Sequence, residues 1–386
     1  MTKPVFIFSD QLLGYKFSNN HPFNPLRFKL TYELLKDAGI LTDDQIVKPR
    51  KATDEEIKLV HNDDYVNAIK LAGEGLLPKA QESSFGLNTD DTPIFKDMHE
   101  ASAWLVGATL TAVEQVFEGN SKKALSLGGG LHHGFRGRAS GFCIYNDSSI
   151  AIEYMKQKYN ARVLYIDTDA HHGDGVQWAF YDDPDVCTFS IHETGRYLFP
   201  GTGNVSEKGA GKGYGYSFNI PVDAFTEDDS WIPILEESID EIAAFYKPDV
   251  IISQNGVDAH YWDPLTHLSV TMESYRKIPQ IVNRAADKYA NGRWIAVGGG
   301  GYDIWRVVPR AWSMIWAEMT GKDLKGPLPE EWRSKWQEKA PVDLPEFWDD
   351  VADLYAPIPR KQEICDKNDL MLQRALQHIR NEQKSM

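Results

Sequence analysis

Short apolar runs alternate along this chain with stretches of helical periodicity. Runs at 5–9, 124–127, 163–166, 186–191, 216–220, 250–254 and 294–297 are rich in Val, Ile, Leu, Phe, Tyr and Trp and read as strands. Between them, apolar residues recur at three- and four-residue spacing over about 100–118, 147–159, 231–246, 273–289 and 304–319, which reads as helix. Strands that are apolar on both faces, separated by amphipathic helices, predict a mostly parallel sheet covered on both sides. Neither a repeat nor a low-complexity linker interrupts the pattern. The expectation is one α/β domain over residues 1–320. Residues 321–386 form a C-terminal extension packed on it, Trp- and Pro-rich over 321–361 and helical over 363–380.

The polar residues that break this pattern do so at strand ends. After 163–166 come Asp167, Asp169, His171, His172 and Asp174. Alternation along a strand puts Asp167, Asp169 and His171 on one side of the backbone. After 124–127 come three glycines and the pair His132 and His133. Gln254 to Asp258 close the next run, and Gly298 to Gly301 precede Tyr302. The carboxyl ends of parallel strands are where open α/β sheets bind ligands, so these four clusters are expected to form one site.

A carboxylate and an imidazole two residues apart are ligands for a divalent metal, zinc above all. Asp169 and His171 supply two. Asp258 is the best candidate for the third, with a helix cap as its alternative role. Such an ion would polarise a carbonyl and lower the pKa of its water. One of His132 and His133 can act as general base, and Asp167 and Asp174 are the spare carboxylates to orient them. Tyr302 can donate to an oxyanion. The run from Gly209 to Gly215 is not a phosphate-binding loop: Ser206 stands at its first glycine position and Gly213 at its hydroxyl position.

Composition narrows the partners. Hydrophobic residues make up 42% of 386, ample for a core, and the net charge of −15 argues against nucleic acid. Cys143, Cys187 and Cys365 are too widely spaced for a zinc pair or a disulfide framework, which fits a reducing cytoplasm. The opening apolar run is too short for a signal peptide, and no stretch approaches a membrane span.

The motifs HPFNPLR (21–27), GGGLHHG (128–134), GFCIYND (141–147), YIDTDAHHGDG (165–175), FPGTG (199–203), NGVDAH (255–260) and GGGGYD (298–303) occur in that order. Together they resemble the zinc-dependent histone deacetylase family, and most of all its bacterial class I-like branch of acetoin-utilisation deacetylases. The resemblance implies the arginase/deacetylase fold, a single α/β domain around an eight-stranded parallel sheet. It implies hydrolysis of acetyl-lysine on proteins to lysine and acetate, with a metabolic enzyme such as acetyl-CoA synthetase as partner.

The family's roles then fall on Asp169, His171 and Asp258 as zinc ligands, with ferrous iron as the cellular alternative. They make His132 and His133 the catalytic pair, backed by Asp167 and Asp174, and give Tyr302 the acetyl carbonyl. Gly141, Phe142 and Phe199 would line an acyl-lysine tunnel with Leu265 at its mouth. Arg27 would face a cavity for acetate, and Asp91, beside Asp90, would grip the substrate backbone. One potassium site would use Asp167, Asp169, His171, Ser190 and Ile191. A second would use Phe180, Asp183, Val186 and Tyr216. The rival activities are deacetylation of small amines such as polyamines, two-manganese ureohydrolase chemistry, and a silent acetyl-lysine reader. Leu265 at the mouth offers a polyamine no acid. A second metal would need acids that are better used on His132 and His133, and the intact histidines, ligands and Tyr302 argue against a silent reader.

Overall fold

The computed structural model describes residues 3–119 and 121–385. Eight strands form one parallel sheet: β1 (Val5–Ile7), β2 (Ile46–Val47), β3 (Lys123–Ser126), β4 (Val163–Asp167), β5 (Val186–Glu193), β6 (Ser217–Val222), β7 (Val250–Gln254) and β8 (Trp294–Val297). Their spatial order is β2-β1-β3-β8-β7-β4-β5-β6. Every residue of β4, β5, β7 and β8 is buried, which explains why these strands are apolar on both faces. This is the arginase/deacetylase architecture that the motifs implied.

The chain order and the spatial order part company at the centre. After β3 the chain skips two places to lay down β4, β5 and β6, then returns to insert β7 and β8 into the gap. The sheet therefore changes direction between β3 and β4, and ligand crevices form where strand order reverses. The four strand ends that carry polar clusters, β3, β8, β7 and β4, are adjacent there. Register keeps them level: Ser126 pairs Val297, Gln254 pairs Val297, and Gln254 pairs Asp167.

The expected helices occur as Met98–Phe117, Asp147–Tyr159, Asp228–Tyr246, Met272–Tyr289 and Val308–Thr320. The last starts four residues later than its periodicity suggests. Pro309 sits in its first turn, where no backbone N–H is required, and Asp303 bonds the N–H of Arg306 just before it (2.8 Å). Strand β6 runs two residues past its expected end, through Pro221. An edge strand tolerates a proline because one side of its ladder is unpaired.

That edge is covered by the helix Lys361–Ser385, which packs on β6 and on Asp228–Tyr246. Ahead of it, the buried Trp332 donates its indole N–H to the carbonyl of Leu30 (3.0 Å). Asp350 makes an equally buried ion pair with Arg310 (2.8 Å) and bonds His260 (2.9 Å). Among the described residues no helix is long and apolar enough to cross a membrane.

Candidate active site

Strand β4 ends at Asp167, and the chain crosses to the end of β7, where the N–H of Thr168 bonds the carbonyl of Gln254 (3.2 Å), before the short helix Asp174–Ala179. On this crossing Asp169 and His171 meet Asp258, which follows β7. Ligand atoms of the three buried side chains all lie within 4.8 Å of one another. His171 Nδ1 is 2.9 Å from Asp258 Oδ2 and 3.2 Å from Asp169 Oδ1. Gln254 Nε2 and the N–H of Gly300 hold the other Asp169 oxygen at 2.7 and 2.6 Å. A Cβ on Gly300 would stand 2.0 Å from Asp258 Oδ2, so only glycine lets the β8 turn approach the carboxylates this closely.

Burial and the charge of Asp169 push the Asp258 carboxyl up to about 6. Burial works against the charged form of His171, but bonds to both acids hold its pKa well above the usual imidazole value. Two oxygens and one nitrogen converging in a dry pocket are the donor set of a divalent cation.

The two histidines after β3 are each wired to one carboxylate. His132 Nδ1 is 2.8 Å from Asp167 Oδ2, and His133 Nδ1 is 2.7 Å from Asp174 Oδ1. Their rings lie 4.0 Å apart by centroid. Their environments separate their chemistry. Burial pulls His132 down, but Asp167 and Asp169 outweigh it and raise its pKa to about 9. Burial and the charge on His132 lower His133 to about 4, against the pull of Asp174. Neighbouring titratable groups pushed apart in this way are suited to opposite acid and base roles. His132 Nε2 is 3.9 Å from Asp169 Oδ1, so the pair faces the Asp–His–Asp group.

Two phenylalanines stand against these groups. Phe199 meets His133 edge-on at 5.0 Å, and Phe142 meets Tyr302 edge-on at 5.6 Å. Gly141 has φ +50, and a Cβ there would strike His133 at 2.5 Å. Burial raises the Tyr302 phenol well above 10, so it stays a donor. Leu265 is half-buried, and Asp90 and Asp91 are exposed. The carbonyl of Asp91 is 3.2 Å from His21 Nε2, and that ring packs against Phe142.

Arg27 lies deep, donating to the carbonyl of Gly301 (3.0 Å) among Phe23, Phe28 and Trp312. Among the described residues it has no carboxylate partner, its Nε is unbonded, and burial lowers its pKa. Of the residues expected at monovalent-cation sites, Asp167 and Ser190 are direct register partners on β4 and β5. Phe180 and Asp183 lead into β5 at Val186, and the carbonyl of Tyr216 accepts from Thr188 of β5 (2.9 Å). The Asp183 carboxylate is bonded by Lys156.

Several supports went unassigned in the sequence. Asp263 is buried and turned inward: its oxygens accept from the N–H groups of Leu265 (3.0 Å) and Tyr302 (2.8 Å). Tyr165 donates to Asp167 (2.7 Å), and Asp147 holds the N–H groups of Gly130 and Leu131 (3.0 and 2.8 Å). A polar side chain closing an apolar strand, as Gln254 does, was the available signal.

Residues 21–319 match the histone deacetylase domain. The chain is 62% identical over 384 residues to the acetoin utilization protein AcuC of Bacillus subtilis (strain 168), covering 100% of this chain and 99% of that protein. It is 48% identical over 372 residues to the AcuC of Staphylococcus xylosus, covering 96% and 97%. The crystal structure of an HDAC homolog from Aquifex aeolicus superposes with a TM-score of 0.83 at 30% identity, covering 95% of this chain and 99% of that one. An HDAC homolog complexed with SAHA superposes with a TM-score of 0.85 at 30% identity, covering 96% and 100%. With a matching domain over most of its length and such relatives along nearly all of it, the chain belongs to the histone deacetylase family.

Proposed function

We propose that this family member is a metal-dependent protein deacetylase that hydrolyses acetyl-lysine to lysine and acetate. The observation that carries the reading is the Asp169–His171–Asp258 group facing two histidines whose pKa values are driven to opposite sides of neutrality. Asp169, His171 and Asp258 would hold one divalent ion, zinc or ferrous iron, which when bound supplies Lewis acidity toward the acetyl carbonyl and toward water.

The chain's own groups do the rest. Gly141, Phe142 and Phe199 enclose the lysine stem, Leu265 borders the mouth, and Asp91 positions the substrate backbone. His133, neutral and oriented by Asp174, takes a proton from the attacking water at Nε2 and returns it to the leaving lysine amine. His132, kept cationic by Asp167, offsets negative charge as the tetrahedral carbon forms. Tyr302 donates its hydroxyl to the oxygen on which that charge collects. Arg27, a buried cation without a carboxylate, receives the acetate.

Monovalent cations, potassium first, would sit at Asp167, Asp169, His171, Ser190 and Ile191, and at Phe180, Asp183, Val186 and Tyr216. There they would brace β4 and β5. The acetoin-utilisation names of the relatives favour a cytoplasmic metabolic substrate such as acetyl-CoA synthetase. The deciding experiment strips metal with a chelator, restores zinc or ferrous iron, and measures turnover on acetyl-lysine peptides beside acetylated polyamines. Metal-restored turnover favouring peptides is expected, with inhibition by SAHA. Preference for polyamines would overturn the protein-substrate reading, and two stoichiometric manganese ions would overturn the single-metal one.

A further inference from the structure

On the same turn as Leu265 stands a second arrangement that the chemistry above does not use. Glu193 ends β5 with its carboxylate fully buried. Both of its oxygens are bound by one residue: the backbone N–H of His267 at 2.8 Å and His267 Nδ1 at 2.8 Å. Among the described residues no lysine or arginine shares that carboxylate, and the backbone N–H of Glu193 is held by the carbonyl of Ala170, one residue before the proposed ligand His171 (2.9 Å). His267 itself is half exposed, 53% for the side chain. Its inner nitrogen is fixed by the glutamate, so the ring's outer edge, with Nε2, is presented to solvent.

The carbonyl of His267 accepts from the N–H of Phe225 (2.8 Å). Phe225 has φ +64, a left-handed conformation that costs a bulky side chain strain, and the residue is 51% exposed. The turn that carries it is rigid. Asn368 of the C-terminal helix accepts from the N–H of Asp223 (2.8 Å) and donates to Thr226 (2.8 Å) and Ser230 (3.0 Å) from a fully buried position. A strained, exposed phenylalanine and a clamped, outward-facing histidine share one hydrogen bond. His267 lies two residues from Leu265, and with Phe225 it forms a built surface on that turn.

We propose that Phe225 and His267, the latter held by Glu193, form a substrate-recognition subsite that binds the peptide flanking the acetyl-lysine. The Phe225 ring takes a large apolar side chain of that peptide, and His267 Nε2 hydrogen-bonds its backbone. Glu193 is a positioning residue acting through His267. The inference rests on the deacetylase reading and deepens it by assigning where substrate sequence is read.

The test uses the full-length, metal-loaded protein and three substrates. One is acetyl-lysine methylamide with a blocked amino group and no flanking residues. The others are two acetyl-lysine peptides that differ only in leucine or glycine beside the modified lysine. Wild type should prefer the leucine peptide. Phe225→Gly, which relaxes the left-handed turn, should abolish that preference. His267→Ala and Glu193→Gln should each lower kcat/KM on both peptides by about tenfold, mostly through KM, the scale of one lost contact. The flanking-free substrate should be turned over as before by all three variants. His267→Gln, whose amide can still donate, should recover part of the loss.

Equal losses on all three substrates would mean that the cluster only supports the fold, and unchanged peptide kinetics would mean that it contacts nothing; either result overturns the proposal. A wild-type protein inactive on every substrate would instead overturn the deacetylase reading itself.

Discussion

Replacing Asp174 by Asn tests the division of labour between the two histidines. The substitution keeps shape and volume at a buried position and removes one charge. In the native protein Asp174 Oδ1 lies 2.7 Å from His133 Nδ1 and 2.9 Å from the N–H of Gly175, so it fixes the proton on Nδ1 and leaves Nε2 free to accept. Asp174 is also what counteracts the downward push of burial and of His132 on His133, whose pKa is about 4. Without the carboxylate the imidazole becomes a still weaker base. An amide facing Nδ1 can also donate to it, moving the proton to Nε2, where it blocks proton abstraction.

Loss of a correctly poised base costs about 10²–10⁴ in rate, and wrong-tautomer variants of hydrolytic triads fall near the upper end. Asp174→Asn should therefore lose about a thousandfold in kcat while keeping its metal and its KM within a few-fold. Charge-assisted bonds contribute about 1.5–3 kcal/mol, so a measurable but non-lethal drop in the urea midpoint is expected. Steady-state kinetics and metal analysis on the same preparation provide the assay. A variant with full metal and kcat within fivefold of wild type would refute the assignment of His133 as base.

Tyr302→Phe removes one hydroxyl. It should lower kcat by about 10²–10³ with little change in substrate affinity, and poor binding with normal turnover would reassign Tyr302 to shaping the passage. Arg27→Met removes a buried cation that lacks a carboxylate partner. Thermal stability should hold or rise, while product inhibition by acetate weakens; unchanged acetate inhibition would remove Arg27 from the acetate path. Stability should also fall on acidification. Burial lowers His61 to about 4 in the folded chain, whereas the unfolded imidazole titrates near 6.5. The unfolded state therefore binds this proton first. The contribution is constant above about 6.5 and is lost as pH falls toward 4, at about 1.4 kcal/mol per pH unit. Urea midpoints at pH 7.5 and 5.5 should show it, and His61→Gln, whose amide oxygen can still accept from Asn146, should flatten the difference. An identical slope in that variant would place the acid sensitivity elsewhere.

What the sequence made legible follows from period and burial. The central strands are buried on both faces, so their apolar runs stood out, and the polar residues at their ends stood out against them. Strand β2 did not, because two half-buried residues at an edge, Ile46 and Val47, leave no period to detect. The helices Leu26–Asp37 and Asp63–Gly73 were also passed over. The first buries Arg27 and Thr31 on its inner face, which blurs the apolar stripe. Asp263 escaped for a different reason. Its role consists of two backbone hydrogen bonds, and nothing in a one-dimensional pattern tells an acid facing a solvent-side ligand from one turned inward to hold a loop. Glu193 and His267 lie 74 positions apart, and only the fold brings them together.

The late insertion of β7 and β8 between β3 and β4 has a bearing on how this protein is made. During synthesis the two halves of the sheet centre emerge first and must wait, since neither can close on the other until about residue 297 has left the ribosome. Most of the pairings at the centre join distant parts of the chain, the kind of contact that folds slowly. Asp169 and His171 leave the ribosome well before Asp258, and Gly300, which braces Asp169, follows later still. A nascent chain therefore holds an incomplete, acidic half-site. On the proposed metal reading, the full ligand set exists only once β7 and β8 are in place, so metal capture would follow closure of the sheet centre rather than precede it.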